Sequence, residues 1–373
     1  MHPDDEQQLS LLDTETDTRI IANAQERLQL KQRHLVDGGT GHQLLLKDLL
    51  DVVSESGSKT APTRRQKKVA EKLVEVASKS AWEEGDIGYL SPIFIQCTLP
   101  HSSPKNADGS AMTRYSRTNG TSTLFIETPD AYPLPHGGEV HIGGVPFGTI
   151  PRMVLLDFAT AVKSTGEPFI NVGKGISHYV RENLQMKVTG GKRGSITQVK
   201  EQLTRLAHST FTVLYSPPEE AKVRQRDNAR RGYAFEKISI AKRGAFFEPE
   251  NGEWKSIIEF SEGFFELLRE TPVPLDLRVV QALRQNLFAL DIYCWLAHRL
   301  FYLKKPTRIP WLGLKEQFGS SYLETRVFRF HFRKALTKAL EFYRDAKIED
   351  TGTHLVLYPS PPAISDKRML TPY

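Results

Sequence analysis

The chain has 373 residues, 39% hydrophobic and 25% charged, with a formal charge of +6. Its length suggests about two to three domains, and its composition is ordinary for a globular protein. No apolar run approaches the ~20 residues of a transmembrane helix. The acidic opening (residues 1–10) is the reverse of a signal peptide's basic start. Membrane-spanning and secreted classes are therefore disfavoured and a cytoplasmic location is expected. Cys97 and Cys294 are too far apart for a CxxC motif and read as reduced thiols. Asn119-Gly120-Thr121 matches a glycosylation acceptor, and without a leader it reads as chance.

The charge is unevenly spread. Residues 1–60 carry eleven acids against six basic residues. Residues 187–243 carry thirteen Lys/Arg against five acids, and residues 299–347 twelve against four. Two basic segments behind an acidic tail suggest a polyanionic partner.

In chain order, residues 1–62 read as an acidic, partly disordered tail, and 63–84 as a helix with Val69, Leu73, Val76 and Ala77 at helical spacing. A strand pair is expected at Ile93–Leu99 and Ser122–Thr128, joined by a flexible loop over 100–120. Pro151 opens a helix with Met153, Leu156, Phe158 and Ala161, ending near Ser164-Thr165-Gly166. A short strand (Phe169–Val172), a short helix (Ile176–Leu184) and the turn Thr189–Gly194 follow. Ser195 is the expected N-cap of a third helix whose apolar positions are Ile196, Val199, Leu203 and Leu206. Strands at Thr210–Tyr215 and Tyr233–Ile240 flank the basic loop Pro217–Gly232, and Ser256–Phe260 is a third strand.

Helix, strand, helix, turn, helix, strand, basic loop, strand is the order of a winged helix, a helix-turn-helix with a β-hairpin appended. A similar order recurs with an apolar helix over Asp276–Tyr302, a short helix at Leu312–Phe318, a turn at Gly319–Ser321 and a third helix over Glu324–Tyr343. The hairpin Lys347–Glu349 and Leu355–Tyr358 then turns at Asp350–Thr353. The expected fold is α+β, tandem winged-helix domains over 85–262 and 263–362, with a C-terminal tail at 363–373.

In such a module the last helix enters the major groove. Opposite the apolar face of the first third helix lie Thr197, Gln198, Glu201, Arg205 and His208, with Lys192, Arg193 and Ser195 at its start. Backbone N–H groups there suit a phosphate; Gln pairs with adenine and Arg with guanine. Glu201 fits either cytosine or solvent. The second helix turns Arg326, Phe330, Arg333, Lys334 and Thr337 outward, with Arg329 and Lys338 at its edges. Four cations over two turns repel one another unless a phosphate backbone opposes them, and Glu324 and Glu341 appear only at the ends. Phe330 suits a thymine methyl or internal packing, and the sequence leaves both open. Arg224, Arg226, Arg230 and Arg231 would form a wing that contacts phosphate, or a basic loop without fixed contacts.

No catalytic or metal site is expected, and no cofactor. Gly190–Ser195 lacks the G-K-[ST] ending of a phosphate-binding loop. Ser177-His178, His136 and His141 lack partners. Tyr115, Tyr179 and Tyr233 lack the clustered His-x-His metal motif that a nicking enzyme's tyrosine needs.

The run Phe147-Gly148-Thr149-Ile150-Pro151-Arg152-Met153-Val154-Leu155-Leu156 resembles a motif of plasmid-encoded RepA replication initiators. So do Thr189–Ile196 with Glu201–Leu206, Phe264–Leu268, Pro272–Asp276 and Ala289–Leu296. The resemblance spans roughly residues 85–362. It implies a bacterial cytoplasmic protein that initiates plasmid replication by binding repeats in double-stranded origin DNA, aided by host helicase and initiator proteins. It also implies a possible homodimer. The alternative on the residues alone is a dimeric winged-helix transcriptional regulator without origin activity.

Overall fold

The computed structural model describes residues 76, 81, 85–120, 122–171, 175–215, 234–247, 255–270, 272–319 and 322–364. The acidic tail, most of the 63–84 helix and the last nine residues lie outside them. So does the basic loop 217–232.

The fold is mixed α+β. The first strand, β1 (Ile87–Leu90), is followed by a short helix, α1 (Pro92–Gln96). The strand expected at Ile93–Leu99 is therefore a helix over its first half. Ile93, Phe94 and Ile95 are all buried, and a run buried on every side shows neither a two- nor a 3.6-residue period. Pro92 in the first turn decides for helix.

The expected 100–120 loop contains β2 (Arg114–Asn119), which forms a hairpin with β3 (Ser122–Glu127) in the register Asn119↔Ser122. The two-residue loop begins at Gly120, with φ +58°. Glycine at the first position of a two-residue loop is a hairpin signal. A small hairpin, β4 (Ala131–Pro133) and β5 (Glu139–His141), follows.

Helix α2 (Thr149–Thr165) ends at Gly166 in the left-handed conformation, φ +72°, a standard helix stop. It is buried on nearly all faces. Next come β6 (Phe169–Asn171), the single turn α3 (Ile176–His178) continuing as a π-helical turn through Asn183, and α4 (Ser195–Ala207).

β7 (Thr210–Tyr215) and β8 (Ala234–Ser239) pair antiparallel as expected. They are not an isolated hairpin, because β3 pairs with β7, giving a four-stranded sheet in the order β2-β3-β7-β8. β9 (Ala241–Phe247) and β10 (Lys255–Phe260) join β6 in a second sheet, ordered β6-β10-β9.

Helix α5 (Glu262–Arg269) packs on the first half. Its Phe264 meets Phe94 and Phe260 edge-on, at 6.3 and 5.3 Å between ring centres. β11 (Val273–Asp276) then pairs antiparallel with β1.

The single helix expected over Asp276–Tyr302 is two, α6 (Leu277–Leu283) and α7 (Leu287–Tyr302). Each has its own cap: the Asp276 carboxylate accepts from the Arg278 N–H at 2.9 Å, and Asn286 Oδ1 accepts from the Ala289 N–H at 3.3 Å. The sequence reading passed over β12 (Thr307–Pro310), which precedes α8 (Trp311–Phe318). Helix α9 (Thr325–Leu340) and the hairpin β13 (Ile348–Asp350) and β14 (His354–Leu357) complete the chain.

The two halves repeat one topology, except that the first inserts β7 and β8 between its third helix and its hairpin. Each has a long helix (α2, α7), a short strand (β6, β12), a second helix (α3, α8), a third helix (α4, α9) and a hairpin. In each the first strand pairs with the last, giving β6-β10-β9 and β12-β14-β13.

One continuous core of buried side chains runs through both halves. Within it, Arg152 of α2 and Asp291 of α7 form a buried bidentate ion pair, Nε–Oδ1 2.8 Å and Nη2–Oδ2 2.9 Å. Arg152 also donates to the carbonyls of Leu99 (2.6 Å), Gly148 (2.8 Å) and Pro100 (3.3 Å). All five guanidinium N–H groups thus have acceptors. His101 Nε2 lies 2.9 Å from Asp291 Oδ2.

Candidate nucleic-acid interface

The turn before α4 is built on glycine. A Cβ at Gly194 would lie 2.3 Å from the Gly190 carbonyl oxygen and 2.4 Å from that of Thr189, so no larger residue fits without moving backbone. Gly194, not Ser195, is the N-cap. Ser195 is instead the first helical residue, and its side chain points inward. Its hydroxyl donates to the Lys187 carbonyl (2.8 Å) and accepts from the Thr189 N–H (2.9 Å), fastening the turn to the helix. Ser195 is buried and does not belong to an outward face.

Lys192, Arg193, Gln198 and Glu201 are exposed at the start of α4, and Thr197 is half-exposed. Thr197 Oγ1 donates to the Gly191 carbonyl at 2.9 Å, and the Gln198 amide donates to the Arg193 carbonyl at 3.1 Å. These bonds hold both side chains over the turn.

Arg205 departs from the expected outward position. It lies half-buried against the 142–147 segment, with Nε donating to the Ile142 carbonyl at 3.3 Å and the guanidinium 4.9 Å above the Phe147 ring. Burial lowers its pKa from the ordinary arginine value. Burial likewise lowers that of His208, whose ring lies 5.3 Å from Tyr132. These last two residues of the predicted face help anchor α4.

On α9 the apolar positions Phe328, Phe332, Ala335, Leu336 and Ala339 are buried as expected. Arg326, Phe330 and Lys334 are exposed, while Arg329, Arg333, Thr337 and Lys338 are half-exposed. Arg329 and Arg333 stack over the buried Trp311 indole, at 5.2 and 5.5 Å. Arg333 Nε donates to Asp350 Oδ2 at 2.6 Å, tying the helix to the hairpin that follows. Burial lowers the Arg329 pKa, with the Arg333 charge adding to the effect. Thr337 Oγ1 donates to the Arg333 carbonyl at 3.0 Å. Among the described residues no carboxylate lies in ion-pair range of Arg326 or Lys334. One of the three outward cations is therefore neutralised within the protein, and two are free to meet a polyanion.

Arg224, Arg226, Arg230 and Arg231 lie outside the described residues. The sequence reading overlooked Leu323 and Val327. They stand beside Phe330 as exposed apolar side chains, and their spacing of four and three residues was the available signal. It also missed Trp311 as the platform for two arginines.

Residues 145–311 match the family model described as "Plasmid encoded RepA protein". The match runs from the residues before α2 to the first residue of α8. It is narrower than the resemblance read from the sequence; it includes α4 and ends before α9. Among solved structures, a crystal structure of domains 2 and 3 of RctB aligns at 12% identity, covering 71% of this chain and 94% of that one, with a TM-score of 0.39. A selenomethionine derivative of the same two domains aligns at 12% identity over 74% and 97%, with a TM-score of 0.42. No curated protein matches the chain. Residues 145–311 are thus a RepA-family region, as the sequence motifs indicated.

Proposed function

We propose that this chain initiates plasmid replication by binding repeated sequences in double-stranded origin DNA, using two winged-helix modules with α4 and α9 as recognition helices. The supporting observation is the duplication. Both halves share one sheet order, first strand beside last, and both carry a third helix with exposed polar or cationic side chains. The RepA-family match over 145–311 supports the replication role.

This reading moves the first wing. By analogy with β13–β14, the hairpin that pairs with the strand after the first helix is β9–β10, so this reading takes β9–β10 as the wing in place of the β7–β8 hairpin. The interface is then Lys192, Arg193, Thr197 and Gln198 on the first module. On the second it is Arg326, Lys334 and Lys338, with Arg329 and Arg333 held over Trp311. Phosphate contacts from the lysines and arginines would set register, and Gln198 and Arg326 are suited to base edges. The chain acts by binding, without chemistry of its own.

The test is a footprint of the full-length protein on the origin of the plasmid that encodes it. The reading expects protection of repeated sites, with two contacted major grooves about 34–36 Å apart. Equal affinity for origin and unrelated duplex at 150 mM salt would refute it.

A further inference from the structure

This inference rests on the DNA-binding reading and deepens it. The outward face of α9 is not uniformly polar. Leu323, just before the cap residue Glu324, is 97% exposed, Phe330 58% and Val327 40%. At about 100° per residue Val327 and Phe330 fall roughly 60° apart on one face, and Leu323 leads into the first turn of the same helix. Arg326 flanks them on one side, and Lys334 lies among them two turns along.

Single exposed apolar side chains are ordinary, but three clustered at the start of one helix are not. Phe330 meets His331 of its own helix edge-on at 5.4 Å. The corresponding face of α4 carries hydrogen-bonding groups instead: Thr197, Gln198 and Glu201.

We infer that α9 recognises thymine, placing the ridge Leu323–Val327–Phe330 against C5-methyl groups in the major groove. The thymine methyl is the apolar feature that base edges present there. Cations beside the ridge suit the phosphates that border the groove. The two third helices thus read by different chemistry, α4 by hydrogen bonding and α9 by apolar contact.

The test uses a duplex selected by the full-length chain from a randomised library, then remade with each thymine replaced in turn by deoxyuridine. This removes only the methyl group. One or two thymines should each show about a fourfold loss of affinity on replacement, the scale of one buried methyl. In Phe330→Ala that penalty should vanish. Val327→Ser serves as a second variant should the first disturb the helix.

The inference is overturned if no thymine replacement weakens binding, or if the penalty persists in both variants. It is equally overturned if Phe330→Ala converts a dimer to a monomer while deoxyuridine has no effect, because the ridge would then be a contact between copies. A chain that selects no duplex overturns the DNA-binding reading as well. A chain that selects one but ignores thymine methyls overturns this inference alone.

Discussion

Arg152 and Asp291 lie 139 residues apart and form a buried bidentate pair joining the long helices of the two repeats. Burial alone would raise the Asp291 pKa. The Arg152 charge and the His101 hydrogen bond outweigh it, and the carboxyl is held below its ordinary range. The two modules are consequently coupled through their core as well as through the chain.

Removing one partner strands the other. Asp291→Asn keeps the shape but leaves the Arg152 charge uncompensated, and should lower unfolding free energy by about 3–5 kcal/mol. Urea denaturation monitored by tryptophan fluorescence measures it. A loss below about 1 kcal/mol would show that the pair is incidental.

The same carboxyl sets an acid limit. Its folded pKa is depressed, so its contribution is present above the unfolded value of about 3.9 and is lost as pH falls through the folded value. As pH falls below about 4 the wild type should therefore lose more stability than Asp291→Asn. Parallel acid profiles of the two proteins would reveal this pair's share.

Cationic side chains on α9 should differ in their effect on DNA. Lys334→Ala and Arg326→Ala should each reduce the slope of log affinity against log salt by about 1. Arg333→Ala should change it less, because Asp350 already pairs with that guanidinium. Titrations from 50 to 200 mM salt would rank the three, and Arg333 ranking first would contradict the assignment.

Glycines in the two turns carry a steric requirement. Gly194→Ala would drive a methyl into the Gly190 and Thr189 carbonyls, and Gly319→Ala into the buried Phe328 ring at 2.2 Å. Each should cost about 1–3 kcal/mol. Gly194→Ala should also weaken DNA binding, since it moves the start of α4. Thermal melts alongside binding curves separate the two effects.

Neither thiol should react in the folded protein. Burial pushes Cys97 up to about 11 and Cys294 higher still. Alkylation at pH 8 should be slow until denaturant is added, as mass spectrometry of the labelled chain would show.

Long, strongly periodic elements were legible in the sequence. α2, α4 and α9, their buried faces and the recurrence of the third helix all follow from apolar spacing. Elements without a period were not. Ile93–Ile95 is buried all round, so helix and strand looked alike. β12 is four residues long and ends in Pro310. The hairpin at Gly120 was readable, but that glycine lay at the end of a segment whose Pro, Ser and Gly content suggested only loop.

The site divided along another line. Which residues face outward follows from helical spacing, so Gln198, Arg326 and Lys334 were found. What an outward residue meets across the fold does not. Arg205 folds onto Phe147 and Arg333 onto Asp350, contacts spanning 58 and 17 residues that no local pattern encodes.

The central claim is that two modules fixed by one core grip a single duplex. The most direct measurement is affinity of the full-length chain for its footprinted site with 5 or 10 base pairs inserted between the two protected blocks. A half-turn insertion moves the second groove to the opposite side of the helix, which a shared rigid core cannot follow. Affinity should fall at least tenfold with 5 base pairs, as the second module's contribution is lost. Unchanged affinity after that insertion, or a footprint of one block alone, would contradict the account.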